Sequence, residues 1–382
     1  MRILMFSNNY KPKVGGVITS ITLCRRGLIR SGHDVHLVAP EYDDYEDEEP
    51  YTYRVPALSL PGDLDVSLAL PIKQPMGMLV KGIKPHVIHS HQPLWLGALA
   101  ASFAADLRTP LVYTFHTRYD AYAEHYLPMM PKLAGRTTSE LVQRYLSRCS
   151  HVVAPTASIR DFLRSEYEFS TPLTVVPTPV DPDAFNAREP AWVRQELGLE
   201  GAEMLLYVGR LANEKGVDLL LHAFGRVAAE RPQARLVLVG IGAHESQMRQ
   251  LGRELGVYDR VIFCGKVPHA QVLDYFASAD LFLFGSETDT QGLVMMEAMA
   301  AGTPVLAAKA PGAIDVLAEG GGLLLPAKAE AFATEIIALL SDGPRRQNLG
   351  QEARQAVRRF SLSATADRLT TVYETAVAAG YR

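Results

Sequence analysis

Along the chain, short runs of apolar and often β-branched residues alternate with longer stretches in which apolar positions recur every three or four residues. In the first half the runs are ILMFS (3–7), DVHLVA (34–39), HVIHS (86–90), LVYTF (111–115), HVVAP (151–155) and LTVVP (173–177). In the second half they are MLLYVG (204–209), ARLVLVG (234–240), RVIFCG (260–265), DLFLFG (280–285), PVLAA (304–308) and GLLLP (322–326). Each is short and almost wholly apolar, as strands buried on both faces must be, and helices covering both faces require a parallel sheet. Between the runs lie helical patterns. Val17, Ile21, Cys24 and Leu28 recur at i, i+4, i+7 and i+11 and mark one face of a helix. Strand and helix alternate through each half, which predicts an α/β chain of two doubly wound domains.

The boundary is expected in PTPVDPDAF (177–185), where Pro177, Pro179 and Pro182 remove backbone donors and fit neither sheet nor helix interior. This places one domain at 1–180 and the other at 181–363. A final helix, about 364–382, follows FSLSATA (360–366) and is expected to pack back on the first domain.

Hydrophobic residues make up 48% of the chain and charged residues 21%, which excludes disordered, collagen-like and coiled-coil classes. With 38 Lys+Arg against 42 Asp+Glu, the net charge of -4 argues against a nucleic-acid binder. Cys24, Cys149 and Cys264 are far apart with no CxxC pair, which fits a reducing cytosol and neither a disulfide framework nor a zinc site. The longest apolar stretch, LWLGALAASFAA (94–105), falls short of the roughly 18 to 20 residues of a membrane span. The ILMFS run is too short for the apolar core of a signal peptide. The expectation is a cytoplasmic protein, soluble or lying on a membrane surface. The acid run Glu41, Asp43, Asp44, Glu46, Asp47, Glu48 and Glu49 reads as a solvated loop.

Four segments carry candidate chemistry. KPKVGGV (11–17) follows the first strand and opens a helix; Gly15 and Gly16 allow backbone amides close approach to an anion, and the helix N-terminus adds positive potential. It is not GxGxxG, which weakens a nicotinamide or flavin reading. In YVGRLANEKGVD (207–218), Arg210 and Lys215 sit beside a helix opened by Gly216, a fork and a point charge suited to a diphosphate. In GSETDTQGLVMMEAMAAGTPVLA (285–307), Asp289 lies in a polar loop, Gly292 starts a helix, and Glu297 lies among Leu293, Val294, Met295, Met296 and Met299. A carboxylate on so apolar a helix needs a partner, and the hydroxyls of a bound ribose would serve. Eight helical residues from Asp289 to Glu297 would span roughly 12 Å, about the reach from a hexose across a diphosphate to a ribose. In YTFHTRYDAYAEHYLP (113–128), His116 follows a strand end, where open α/β sheets place ligands. Tyr119, Tyr122 and Tyr126 read as packing residues, and His89 and His91 in VIHSHQP as structural. VGIG (239–242) reads as a strand-end turn. Asp181-Pro182-Asp183 has a DxD spacing but lies in the linker, and neither metal-ligand spacing nor a GxSxG elbow occurs.

Taken together and in this order along essentially the whole chain, these motifs resemble the family-4 retaining glycosyltransferases of the GT-B fold. The resemblance implies two Rossmann-like domains facing a cleft that holds a nucleotide-sugar, with the C-terminal helix crossing back to the first domain and closure about 177–185. It implies that Gly15 and Gly16 line the donor phosphates or the reaction centre, and that Arg210 and Lys215 neutralise the leaving diphosphate. Gly292, Leu293 and Val294 would offer backbone amides to the phosphates. Glu297 matches the ribose-holding acid of the E-x7-E motif, His116 a histidine near the transferred sugar, and the backbone of Lys266 and Val267, in CGKVPH, would contact the base. Within the family, VGGVITS, HTRYDAYAEHY and TDTQGL are similar to the diacylglycerol α-glucosyltransferase branch. Asp289 stands where that branch commonly has Glu, one methylene longer, and Pro179 where the family usually has Gly. The implied activity is retaining transfer of a hexose, glucose by this branch, from a UDP-sugar to a lipid acceptor, 1,2-diacylglycerol, with no metal or further cofactor. His116, Arg210, Lys215 and Asp289 would act on the reacting groups. The basic apolar stretches 70–87 and 126–148 fit an anionic membrane, at its inner face. The same donor site would also serve a soluble or different lipid acceptor, or a nucleotide-sugar epimerase.

Overall fold

A parallel strand buried on both faces carries its polar chemistry mainly at its ends. The computed structural model describes the chain except residues 14, 43, 44, 48, 60–66, 70–72, 118–130, 186, 187, 189 and 382. It divides into two units, Met1–Pro179 with Leu362–Arg382, and Val180–Ser361.

The first unit is built on a seven-stranded sheet in the order β3-β2-β1-β6-β7-β8-β9. Its strands are β1 (Arg2–Phe6), β2 (Asp34–Pro40), β3 (Thr52–Val55), β6 (Val87–Ser90), β7 (Leu111–Thr114), β8 (His151–Ala154) and β9 (Leu173–Val175), all paired in parallel. A two-stranded antiparallel pair, β4 (Ala57–Ser59) and β5 (Ser67–Ala69), stands apart from it. Side chains alternate along β1: Leu4 and Phe6 enter one core, Ile3 and Met5 the other. Every strand expected in this half is present. The edge strand β3 was not expected, because TYRV carries polar side chains and only Val55 is buried.

The Leu362–Ala379 helix belongs to this unit. Ala366, Leu369, Val372 and Tyr373 pack with Ile3, Met5, Ile21 and Leu28 against one face of the sheet. Its approach to the Gly16–Arg30 helix depends on Gly27, where a Cβ would lie 2.9 Å from the Leu362 carbonyl oxygen.

The second unit is built on a six-stranded sheet in the order β12-β11-β10-β13-β14-β15. The strands are β10 (Glu203–Val208), β11 (Ala234–Val239), β12 (Val261–Gly265), β13 (Leu281–Phe284), β14 (Val305–Ala308) and β15 (Gly322–Leu325), again all parallel. Two apolar layers cover its faces, one holding Met204 and Leu206, the other Leu205 and Tyr207. Chain entry and exit lie side by side, since Val180 bridges Ser361 and its amide donates to the Phe360 carbonyl at 2.8 Å.

One expectation needs correction. The acid run is not simply a solvated loop: Glu41 and Glu46 are exposed, but Asp47 and Glu49 are drawn onto the segment before Gly15. Arg54 on β3 donates to both oxygens of Asp47 at 2.7 and 2.6 Å, to the Pro40 carbonyl at 2.6 Å and to the Lys11 carbonyl at 2.9 Å. The rings of Tyr10, Tyr42 and Tyr45 surround its guanidinium at 5.7, 5.6 and 5.3 Å. Lys11 pairs with Glu49 at 2.6 Å. The sequence shows charges but not that one arginine reaches back from the next strand to gather them. Asp43, Asp44 and Glu48 lie outside the described residues.

Arg54 and Asp47 are 15% and 14% exposed, so truncating the arginine strands a mostly buried carboxylate. Arg54→Ala is expected to cost on the order of 2 kcal/mol in urea unfolding followed by Trp95 fluorescence with Trp192 replaced by Phe. A change no larger than ordinary surface substitutions, about 0.5 kcal/mol, would show that the clamp is ornamental.

Candidate active site

Ligands of open α/β sheets sit beyond the carboxyl ends of the strands, where the strand order reverses. In the second unit that point lies between β10 and β13, the two central strands. The loop after β10 carries Arg210 and Lys215; the loop after β13 carries Asp289 and Gly292. Their backbones touch at Gly216 and Gly285. A Cβ on Gly216 would lie 2.3 Å from the Gly285 carbonyl oxygen, and one on Gly285 would lie 2.4 Å from that of Gly216. Gly216 also has φ of 63°, the left-handed conformation, and caps the Val217–Glu230 helix. Ser286 Oγ donates to the Glu214 carbonyl at 3.0 Å, a second tie between the loops. The buried Tyr207 hydroxyl donates to the Arg210 carbonyl at 2.8 Å and fixes where the loop leaves β10.

Lys215 and Asp289 meet across this junction. Lys215 Nζ donates to Oδ1 at 2.7 Å and Oδ2 at 2.9 Å. Both side chains are largely shielded, at 18% and 25% exposed, so the pair is stronger than an ordinary surface bridge. Arg210 is more open and pairs with Glu214 at 2.9 Å. Sequence reasoning placed two cations here for a diphosphate; the structure carries both on the loop after β10 and gives each a carboxylate.

Gly292 adopts φ of 73° and caps the Leu293–Ala301 helix. The first amides of a helix, here those of Leu293 and Val294, have no acceptor within it and are available to an anion. Glu297 on this helix is buried, as its apolar neighbours imply. Its partner within the protein is His269, whose Nε2 lies 2.7 Å from Oε1. That hydrogen bond, opposed by burial, raises the His269 pKa above the usual 6.5. His269 escaped the sequence reading. It stands three residues beyond Lys266, at the start of a helix, in the CGKVPH segment already singled out for other positions. Lys266 is exposed beyond β12, and Val267 packs partly against the core.

In the first unit the order reverses between β1 and β6. Gly15 and Gly16 lie exposed after β1, with open space where side chains would be. Asn8 joins the ends of the two strands. Its amide donates to Gln92 Oε1 at 2.8 Å, and its side chain accepts from the Leu96 amide and donates to the Leu94 carbonyl, each at 3.0 Å. His116 lies beyond β7, half-buried, with burial lowering its pKa to about 4. The ring is therefore neutral near neutral pH and acts as a hydrogen-bonding group, not a fixed cation. Tyr119, Tyr122 and Tyr126 lie outside the described residues.

A cavity of about 720 Å³ in the second unit, lined by Asn213, Glu214, Gly216, His222 and Thr288 among others, includes none of Arg210, Lys215, Asp289 and Glu297. Among the described residues, no group of three His, Cys, Asp or Glu side chains is placed to hold a metal ion. No described helix is long and apolar enough to cross a membrane.

Comparison with known proteins agrees with this geometry. Residues 14–184 match the model described as Glycosyltransferase Family 4, and residues 190–356 that of Glycosyl transferases group 1. The alpha-monoglucosyldiacylglycerol synthase of Streptococcus pneumoniae is 30% identical over 319 residues, covering 80% of this chain and 71% of that protein. The GDP-mannose-dependent alpha-mannosyltransferase of Corynebacterium glutamicum is 28% identical, covering 85% of this chain and 76% of that one. Among solved structures, sucrose-phosphate synthase from Thermosynechococcus elongatus superposes with a TM-score of 0.80 at 22% identity, over 99% of both chains. Anabaena HepE in complex with UDP and glucose does so with a TM-score of 0.76 at 21% identity, over 98% of this chain and 100% of that one. With two parallel-sheet Rossmann-like units and a match to both halves of the family, this chain belongs to the family-4 glycosyltransferases of the GT-B fold.

Proposed function

We propose that this enzyme transfers a hexose, glucose by its nearest motifs, from a UDP-sugar to 1,2-diacylglycerol with retention of the α configuration. The observation that carries the donor half is the junction at the β10–β13 switch point: Lys215 held by both oxygens of Asp289, beside a helix N-terminus opened by Gly292. A diphosphate needs such a point charge and such amides. The lipid acceptor is supported by likeness to an alpha-monoglucosyldiacylglycerol synthase, and the uridine donor by likeness in fold to a protein bound to UDP and glucose. The GDP-mannose-dependent relative shows that the donor varies among such chains.

In this reading the bond from the sugar's anomeric carbon to the diphosphate oxygen breaks as the acceptor hydroxyl bonds to that carbon on the same face. The hydroxyl proton passes to the departing diphosphate. Arg210, Lys215 and the amides of Gly292, Leu293 and Val294 stabilise the negative charge that develops there. Neutralisation is assigned to these groups, with no metal in a role. Glu297 holds the ribose hydroxyls, Asp289 the hexose hydroxyls, and the backbone of Lys266 and Val267 the base. Gly15 and Gly16 serve the donor phosphates or the reaction centre, and His116 the transferred sugar.

The deciding experiment incubates the purified protein with UDP-glucose, UDP-galactose, UDP-glucuronate or GDP-mannose, with and without diacylglycerol vesicles, and identifies products by mass spectrometry. A hexosyl-diacylglycerol formed only with vesicles and one donor is the expected result. Nucleotide release without a lipid product would retain the donor site and discard the lipid acceptor; a rearranged donor sugar would favour the epimerase.

Lys215→Ala is expected to lower kcat/KM about 100- to 1000-fold in that assay, the loss typical of one preorganised charge-stabilising donor. Activity near wild type would overturn the mechanism.

Glu297→Gln is expected to raise the donor KM and to return the His269 pKa to 6.5 or below by NMR titration, because its largest raising cause is removed. The sign follows directly. A histidine whose folded pKa is raised gains stability from its partner below pH 6.5, and loses it as pH rises through the raised value. An unchanged His269 titration would show that the 2.7 Å contact carries no charge coupling.

For the membrane surface, the described part of the first unit exposes Met78 at 78%, Trp95 at 42% and Leu141 at 43%, with Met78 on a helix that also carries Lys73 and Lys81. The protein is expected to sediment with anionic vesicles more than with neutral ones at low salt, and less so as salt rises. Equal sedimentation with both would remove the electrostatic part of the reading.

A further inference from the structure

We propose that Arg54 is a positioning residue for the Gly15–Gly16 turn: through it the β2–β3 connection grips the chain on both sides of the two glycines and sets where their backbone lies. The inference rests on the reading of that turn as part of the site. Before the glycines, the Arg54 guanidinium donates to the Lys11 carbonyl at 2.9 Å while the Lys11 ammonium pairs with Glu49 at 2.6 Å. Residue 11 is thus held by main chain and side chain at once. The buried Tyr10 ring lies 5.7 Å from the same guanidinium, and the Lys13 ammonium lies 5.4 Å from the ring of Tyr42. After the glycines, Arg25 of the Gly16–Arg30 helix is 1% exposed; it donates to Thr52 Oγ1 at 2.8 Å and to the Pro50 carbonyl.

Arg54 gives this grip its stiffness. One planar group engages both oxygens of Asp47, the Pro40 carbonyl at the end of β2 and the Lys11 carbonyl after β1. The guanidinium fork has a fixed shape, so these three segments are held in one mutual arrangement.

The turn itself needs such outside support. Gly15 and Gly16 are exposed, and beyond their chain neighbours and own helix no described atom lies within 4 Å of where either Cβ would be. The φ of Gly15 is 163°, extended backbone that any residue adopts. Neither packing nor conformation makes the described fold require glycine here, although glycine costs chain entropy. Close approach of a ligand to the backbone is the remaining reason for it. A turn that must meet a phosphate or sugar at hydrogen-bonding distance, yet is not itself packed, has to be placed by its flanks.

The test joins hydrogen–deuterium exchange by mass spectrometry to steady-state kinetics on the full-length protein. It uses diacylglycerol vesicles and the donor that the product assay identifies, at a temperature where every variant is folded. Arg54→Gln is expected to speed exchange over 10–18 about tenfold, while 203–208 and 281–284 in the second unit exchange as in wild type. Its kcat should fall about tenfold with donor KM within about twofold, since a misplaced turn loses orientation more than binding. Ile159→Val trims a buried residue in the core on the other face of the sheet, away from the grip, and should keep kcat. A loss there equal to that of Arg54→Gln would make the effect one of general stability and overturn the proposal. So would unchanged exchange over 10–18 in Arg54→Gln, or a loss confined to donor KM. Should Arg54→Gln fail to fold, Glu49→Gln leaves the fork intact and weakens the hold on the Lys11 ammonium; it should lower kcat about threefold, and no change would overturn the proposal. Gly16→Ala tests the underlying reading, because its methyl group enters open space at the start of a helix. Activity near wild type would remove the turn from the site and the positioning role with it, while the exchange data would still decide whether Arg54 holds the turn.

Discussion

The second unit depends on a place where two backbones meet with no room for a side chain. Gly216 and Gly285 each present a carbonyl oxygen where the other's Cβ would be. A methyl group at either position would force the loops after β10 and β13 apart. Lys215 and Asp289 are carried on those loops, and their 2.7 Å contact exists because the junction is closed. The helix that begins at Gly292 takes its place from the same loop, and with it the buried Glu297. One steric constraint thus sets the positions of the cation, the anion and the helix terminus together.

That arrangement has an electrostatic consequence. Lys215, Arg210 and His269 each face a carboxylate within 3 Å, from Asp289, Glu214 and Glu297. Lys215, at 18% exposed, would be costly unpaired, and Asp289 offsets that cost; Arg210 and His269 are about half exposed. The same carboxylates lower the net positive potential offered to an incoming diphosphate. Affinity must then come from geometry as well as charge, which is the part that helix amides supply.

Much of this was legible in sequence. The strands of both sheets announce themselves because strands buried on both faces cannot be other than apolar. Arg210 and Lys215 were singled out because they follow a strand beside a helix opened by glycine, Gly292 because it starts a helix, and Glu297 because a carboxylate on so apolar a helix needs a partner. What stayed hidden has a common physical form. The edge strand β3 is half polar and carries no periodic signal. Arg54 reaches across a strand pairing to Asp47 and Lys11, and His269 reaches Glu297 from another helix 28 residues away. The contacts of Arg54 with Lys11 and of His269 with Glu297 join segments 43 and 28 residues apart, which local pattern does not encode. His89 and His91 were read as structural; their residue types were plain, but the contact of their rings with each other and the edge-on contact of His89 with Tyr373 follow only from β6 lying beside β7 and beneath the terminal helix.

The titratable groups singled out at the two switch points are in different settings. In the second unit Lys215 is shielded in a pair with Asp289; in the first, burial lowers the pKa of His116. On the proposed mechanism this division is what the chemistry demands. The departing diphosphate is the only strong anion formed, so charged donors belong beside it. The reacting sugar develops positive character, and an imidazolium placed against it would raise the barrier. A histidine held near pKa 4 can orient a hydroxyl without adding that repulsion. It is then a poor base as well as no cation, and the acceptor's proton must leave with the diphosphate. The burial that lowers the His116 pKa is therefore in keeping, on the proposed mechanism, with proton transfer to the leaving group.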